Sequence, residues 1–187
     1  MRTIEGARTA AGRRVLAAAS ELFYTHGIHA VGVAAIAAAA GVTKKTLYDC
    51  YGSKDQLVAA YLQHRDDTWW ASLERRLAAA TVPRTLAVFD AYADESLDTS
   101  RGCAFLNGAA ELPAGHPGYA IVRAHKSAVR ARLAELVAED HPHIVDRDRC
   151  VEHLFLLLEG AIAHRGIDGD GHHLARARQI AHTMLGG

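Results

Sequence analysis

The sequence predicts an all-α chain: an N-terminal three-helix head that carries a helix-turn-helix, followed by a longer helical body. Three observations lead there. Half of the 187 residues are apolar and Ala is very abundant, while Gly and Pro gather in breaks. No alternating β-branched run is long enough for a strand. Residues 33–54, VAAIAAAAGVTKKTLYDCYGSK, are punctuated as helix, tight turn and helix.

Within that stretch, Val33, Ile36, Ala37 and Ala40 repeat at the spacing of one helix face. Gly41 then supplies a left-handed residue at no steric cost. Thr43 is placed to N-cap a second helix, KKTLYDCY, which Gly52 ends. Ser53 followed by Gln56 reads as a capping box that opens the next helix. In such a motif the second helix enters the major groove of DNA. Lys44 and Lys45 lie in its first turn, where cations oppose the helix dipole. A phosphate facing the same helix amides and both ammonium groups would reverse that penalty. Two solvated surface lysines explain them equally well.

AAGVTKKTLYDCYGSKDQL resembles the DNA-binding signature of the TetR (tetracycline-repressor) family. The likeness rests on Ile36-Ala37, Ala40-Gly41-Val42-Thr43, Thr46-Leu47-Tyr48, Tyr51, Ser53-Lys54 and Leu57, and is strong over about residues 13–60. It implies a helix-turn-helix head over residues 1–53 and a helical ligand-binding and dimerisation body over residues 54–187. Expected DNA contacts are Thr43, Lys44, Lys45, Thr46, Tyr48, Asp49 and Lys54, with Leu47 and Tyr51 turned into the head. The chain departs from the family at Gly32, Ala34 and Ala35, where a hydroxyl cap and polar residues are usual, so fewer phosphate contacts are expected from that helix. Asp49 stands where the family often has His. It either accepts from a cytosine N4 or repels phosphate.

The net charge is zero, but its distribution is uneven. Residues 1–54 hold seven basic residues (Arg2, Arg8, Arg13, Arg14, Lys44, Lys45, Lys54) against Glu5, Glu21 and Asp49, a net of +4, which leaves −4 on the remainder. A basic head on an acidic body suits nucleic-acid binding by the head alone. Arg13 and Arg14 either approach phosphates or form a solvated face.

Residues 1–8 read as a mobile basic arm. Thr9 caps the first helix, whose buried stripe is Val15, Leu16, Ala19, Leu22 and Phe23. A long helix from Lys54 to about residue 80 follows. Pro83 is placed in the first turn of the next helix, which buries Leu86, Phe89, Ala93 and Leu97. Residues 101–117, RGCAFLNGAAELPAGHP, resemble a segment of the ligand-binding domain in one subgroup of the family. Asn107 and Glu111 share a helix face there. They either orient a ligand or pair within the core. The candidate pocket lining is Trp69, Phe89, Phe105, Asn107, Glu111 and His125, the last equally a satisfied core histidine. Residues 119–139 and 146–165 read as two further helices. The second is apolar over more than half its circumference and must be covered on two sides. After a break at residues 166–171, a last amphipathic helix starts at His172. The resemblance implies that these last two helices pair with their copies in a homodimer, and Leu154, Leu158, Ile162, Ala177 and Ala181 are the expected interface.

Cys50, Cys103 and Cys150 are widely spaced and suit a reducing cytoplasm, with Cys50 a packing residue. No signal peptide or membrane span is visible, so no membrane partner is expected. No nucleophile elbow, zinc-protease motif or phosphate loop is present, and neither catalytic residues nor a cofactor is expected. The histidine pairs His141/His143 and His172/His173 lack carboxylate or Cys partners at ligand spacing, so no metal site is expected. The function implied is a ligand-released repressor that binds double-stranded operator DNA as a homodimer and answers to a small-molecule effector. The alternatives are an activator of the same build, or a helical binding protein or enzyme that uses the body cavity without specific DNA binding.

Overall fold

The computed structural model describes residues 9–93 and 101–186, so the N-terminal arm and Leu97 lie outside the described residues. The described chain is all-helical: α1 (Ala10–His26), α2 (Val33–Ala39), α3 (Lys44–Tyr51), α4 (Lys54–Ala79), α5 (Ala87–Tyr92), α6 (Ala104–Glu111), α7 (Pro117–Asp140), α8 (Arg147–Asp168) and α9 (His172–Met184). The fold class matches the sequence expectation. Two compact units divide the chain. One comprises residues 1–65 and 104–123, the other residues 66–103 and 124–187. α4 and α7 each contribute to both units, so compactness does not follow the expected functional division at residue 53.

In the first unit α1 is the platform on which α2 and α3 pack. Val15, Ala19, Phe23, Ile36, Leu47, Tyr51, Leu57 and Leu62 are buried there. Thr9 Oγ1 accepts from Gly12 N at 2.9 Å and caps α1. The end of α2 is a Schellman motif. Gly41, at φ +62°, donates to the Ala38 carbonyl, and Val42 N donates to the Ala37 carbonyl. Arg14 Nε donates to the Ala40 carbonyl at 3.1 Å, so one of the two arginines considered for phosphate instead ties α1 to the turn. Tyr51 donates its hydroxyl to the Gly12 carbonyl at 2.8 Å in a buried setting. Burial, and then the neighbouring Cys50, push the Tyr51 phenol up to about 12, so it stays a donor at physiological pH.

α6 and the start of α7 complete this unit. Pro117 is the first residue of α7 and not part of the preceding loop, where its missing N–H costs nothing. His116 acts as the cap: its Nδ1 accepts from Gly118 N at 2.9 Å. Glu111 Oε2 accepts from His29 N at 2.8 Å, and the Glu111 carbonyl pairs with the His29 ring at 2.7 Å. The carboxylate therefore secures the turn between α1 and α2.

The second unit centres on α8, with α9 packed along it. Leu154, Leu158, Ile162, Ala177 and Ala181 are buried between the helices of a single chain. The five residues expected at a dimer interface are thus at most 4 % exposed within one chain. α8 runs on through Gly166, where the sequence suggested a break. A Cβ at Gly166 would lie 2.7 Å from the Arg101 carbonyl oxygen, so this glycine admits a crossing backbone. α5 begins at Ala87, leaving Pro83 in the preceding loop, and Ala93 is exposed. That loop is held by Arg84, whose N and guanidinium donate to Asp140 at 2.6 and 2.9 Å and whose guanidinium also reaches Glu139 at 2.7 Å. Burial alone would raise the Asp140 pKa, but the Arg84 hydrogen bonds outweigh it and hold the carboxyl below its usual range. No helix among the described residues is long and apolar enough to cross a membrane.

Tyr51→Phe removes the bond to Gly12, whose carbonyl keeps its helical partner within α1. The expected cost is about 0.5–1.5 kcal/mol of unfolding free energy, read from urea denaturation of the two proteins side by side.

Candidate nucleic-acid interface

α3 is a helix of eight residues with distinct faces. Leu47 is 0 % and Tyr51 4 % exposed, which fixes the inward side. Lys44, Lys45, Tyr48 and Asp49 are exposed on the outward side. Thr43 Oγ1 accepts from Thr46 N at 3.1 Å and meets the Thr46 hydroxyl at 2.9 Å. Both hydroxyls thus build the start of the helix, and Thr46 is half-buried. The same start carries Lys44 and Lys45 in its first turn, beside the positive end of the helix.

Lys45 Nζ lies 2.9 Å from Asp49 Oδ2, one helical turn along, with both side chains largely in solvent. The hydrogen bond and the charge of Asp49 raise the Lys45 pKa, so the lysine stays charged. Asp49 therefore balances one cation on this face when DNA is absent. Lys54, at the start of α4, has its ammonium 6.0 Å from the centre of the Phe23 ring, which holds the side chain beside the head. Ser53 Oγ accepts from Gln56 N at 3.1 Å, the Ser half of the expected capping box, while Ser53 N donates to the Tyr51 carbonyl at 2.8 Å. Gly32 precedes α2 with no side-chain cap.

The expected pocket residues separate. Phe105, Asn107 and Glu111 fall in the first unit, whereas Trp69, Phe89 and His125 fall in the second. Asn107 and Glu111 border a shallow recess with Phe23, Tyr24, Ile28 and Tyr61 that has no room even for a water molecule. A drug-sized ligand needs several hundred Å³. In the second unit Trp69 meets Tyr92 at 5.0 Å and His125 at 5.1 Å, both edge to face. His125 Nδ1 lies 2.7 Å from Asp66 Oδ1, so this histidine is satisfied. Lys126 adjoins the group, 2.7 Å from Glu159 and 3.4 Å from Cys103 Sγ. Sequence reasoning missed Tyr92. Its hydroxyl and the Trp69 indole nitrogen are buried, and neither makes a hydrogen bond. Burial, with Cys103, Glu159 and Asp66 nearby, raises the Tyr92 pKa well above normal and keeps it a donor.

Burial also lowers the His125 pKa from 6.5, against the opposing hydrogen bond from Asp66. Its folded pKa therefore lies below the unfolded one. The unfolded chain takes up a proton that the folded chain refuses, and stability falls as pH drops through about 6.5. Urea midpoints should decline between about pH 7 and about pH 5.5, and His125→Asn should flatten that decline. An equal decline in the variant would assign it to other groups.

Comparison with known proteins agrees with this geometry. Residues 15–61 match the family model described as bacterial regulatory proteins, tetR family. A TetR-family transcriptional regulator from Streptomyces coelicolor is 32 % identical, with 94 % of each chain covered and a TM-score of 0.85. A putative TetR transcriptional regulator from Streptomyces avermitilis is 28 % identical over 93 % of this chain and 99 % of that one, with a TM-score of 0.74. The HTH-type transcriptional activator FasR of Mycolicibacterium smegmatis is 36 % identical over 91 residues, which span 48 % of this chain and 42 % of that protein. The chain belongs to the TetR family, a non-enzymatic family of bacterial DNA-binding transcriptional regulators.

Proposed function

We propose that this regulator is a cytoplasmic homodimer that represses transcription from an operator and is released by a small-molecule effector. The observation that carries the DNA-binding part is the outward face of α3. Leu47 and Tyr51 are anchored inside, so Lys44, Lys45, Tyr48 and Asp49 occupy the side that faces a major groove. Thr43 and Thr46 set the helix start, and Lys44, Lys45 and Lys54 supply the phosphate contacts. The Lys45–Asp49 pair opens when Lys45 turns to a phosphate, leaving Asp49 to accept from a base. Two heads one helical turn apart would read a palindromic site with half-sites about 34 Å apart.

Dimerisation is assigned to the outer face of α8 and α9, the side opposite the buried seam. Leu156 is 59 % and Ile180 39 % exposed, apolar surface that a partner would cover. Gly160 is on the same side of α8, with open space where its Cβ would stand, so a partner helix can approach closely. The effector is assigned to the second unit, around Trp69, Tyr92 and His125. Two buried donors without acceptors each carry a desolvation cost, and a ligand with acceptor oxygens would relieve it. The effector must bind the DNA-free state more tightly than the DNA-bound one.

A second reading, activation, is favoured by one observation: the FasR relative is named an activator. Transcription from the regulated promoter with and without the protein separates the two.

Fluorescence anisotropy over a salt series tests the interface. Lys44→Ala should weaken operator binding and lower the slope of log affinity against log salt by about 1. An unchanged slope removes Lys44 from the phosphate contacts. Sedimentation velocity tests the seam. Leu156→Arg should shift a dimeric wild type towards monomer, while Lys44→Ala stays dimeric. A monomeric wild type at micromolar concentration would refute the assignment.

A further inference from the structure

We propose that His164, Asp168 and His173 form a site for one divalent transition-metal ion of the zinc or nickel type. His164 and Asp168 are one turn apart near the end of α8, on one helix face. Gly169, at φ +76°, ends α8, and Gly171 precedes α9, so His173 comes back against that last turn. The three residues bring their ligand atoms within 4.8 Å of one another.

The separations match the needs of an ion. Asp168 Oδ2 lies 3.3 Å from His164 Nδ1 and 3.1 Å from His173 Nε2. Neighbouring ligands on a tetrahedral zinc, with bonds of about 2.0–2.1 Å, are separated by roughly 3.3 Å. Small rotations of the two rings therefore open room for an ion without moving a helix. The rings are gathered at one place: the imidazoles of His164 and His173 are 4.7 Å apart and those of His172 and His173 3.9 Å apart, each pair tilted. His172 itself is engaged by Asp170 through both its backbone N–H and its ring, so it guards the ring of His173 and leaves the third position to Asp168. Each of the three residues keeps a third or more of its side-chain surface in solvent, which gives an ion access and leaves room for water as a fourth ligand. Two imidazoles and one carboxylate favour zinc, nickel or copper over magnesium or calcium, which prefer all-oxygen shells.

The ion would join the end of α8 to the start of α9 within one chain. The site does not depend on the reading of the DNA interface or of the dimer. Sequence inspection considered His172/His173 and found no carboxylate at ligand spacing. The fold supplies Asp168 and His164 from the neighbouring helix.

The test is isothermal titration calorimetry of the full-length, tag-free, chelator-stripped protein with zinc sulfate, nickel chloride and magnesium chloride. The expected result is saturable binding of one zinc or nickel ion per chain and none of magnesium. Asp168→Asn, His164→Ala and His173→Ala should each weaken zinc binding roughly tenfold or more. His143→Ala should leave it unchanged. Zinc should raise the thermal midpoint of the wild type and not that of Asp168→Asn, and circular dichroism of the zinc-free variants checks that they fold. Absence of saturable zinc and nickel binding overturns the site. So does binding that survives any one of the three substitutions, or one ion per two chains, which would place ligands on separate copies.

Discussion

A buried hydroxyl sets the aim of α3. Tyr51, the last residue of that helix, reaches across to the Gly12 carbonyl of α1. At the other end of the motif, Arg14 on α1 holds the Ala40 carbonyl where α2 closes. α1 therefore grips both sides of the turn. With Leu47 inserted between them, α3 has one rotational setting, and in that setting its lysines and Tyr48 face outward. The DNA-binding face is a consequence of what the opposite face buries. The basic surface contributes nothing to the fold by itself.

The same economy recurs with side chains that look functional in the linear sequence. Arg14, Glu111, His116 and Asp140 are charged or titratable and sit beside loops. Glu111 and His116 accept from backbone amides of the first unit. Asp140 accepts from the Arg84 amide in the second. Buried backbone groups at helix ends require partners, and irregular connections leave several unpaired. A polar residue near such a connection is therefore recruited by the chain before any ligand can claim it. His125, inside α7, is instead held by a side chain, Asp66. The buried donors of Trp69 and Tyr92 have neither kind of partner.

The body carries a related lesson in α8. Its apolar circumference signalled two covered sides, but periodicity alone could not say which side faced its own chain. α9 takes Leu154, Leu158 and Ile162, leaving Leu156 and Gly160 on the outer side. The choice goes with the rotation of α8, which near its end passes close to the backbone of Arg101 and Gly102 at Gly166.

The sequence by itself determined the helical class, the bounds of α2, α3 and α4 to within a residue, and the inward positions of α3. These rest on interactions between residues a few positions apart: caps at Thr43 and Ser53, a left-handed glycine at 41, and apolar spacing of three and four. Only the tertiary structure decided the rest. It placed Arg14 on a carbonyl 26 residues away, divided Asn107 and Glu111 from Trp69 and His125, turned α8 so that the expected interface residues are buried within one chain, and brought His173 to Asp168. The physical reason is that such pairings depend on the relative rotation of packed helices. That rotation is a sum over many contacts distant in the chain, and no local pattern records it.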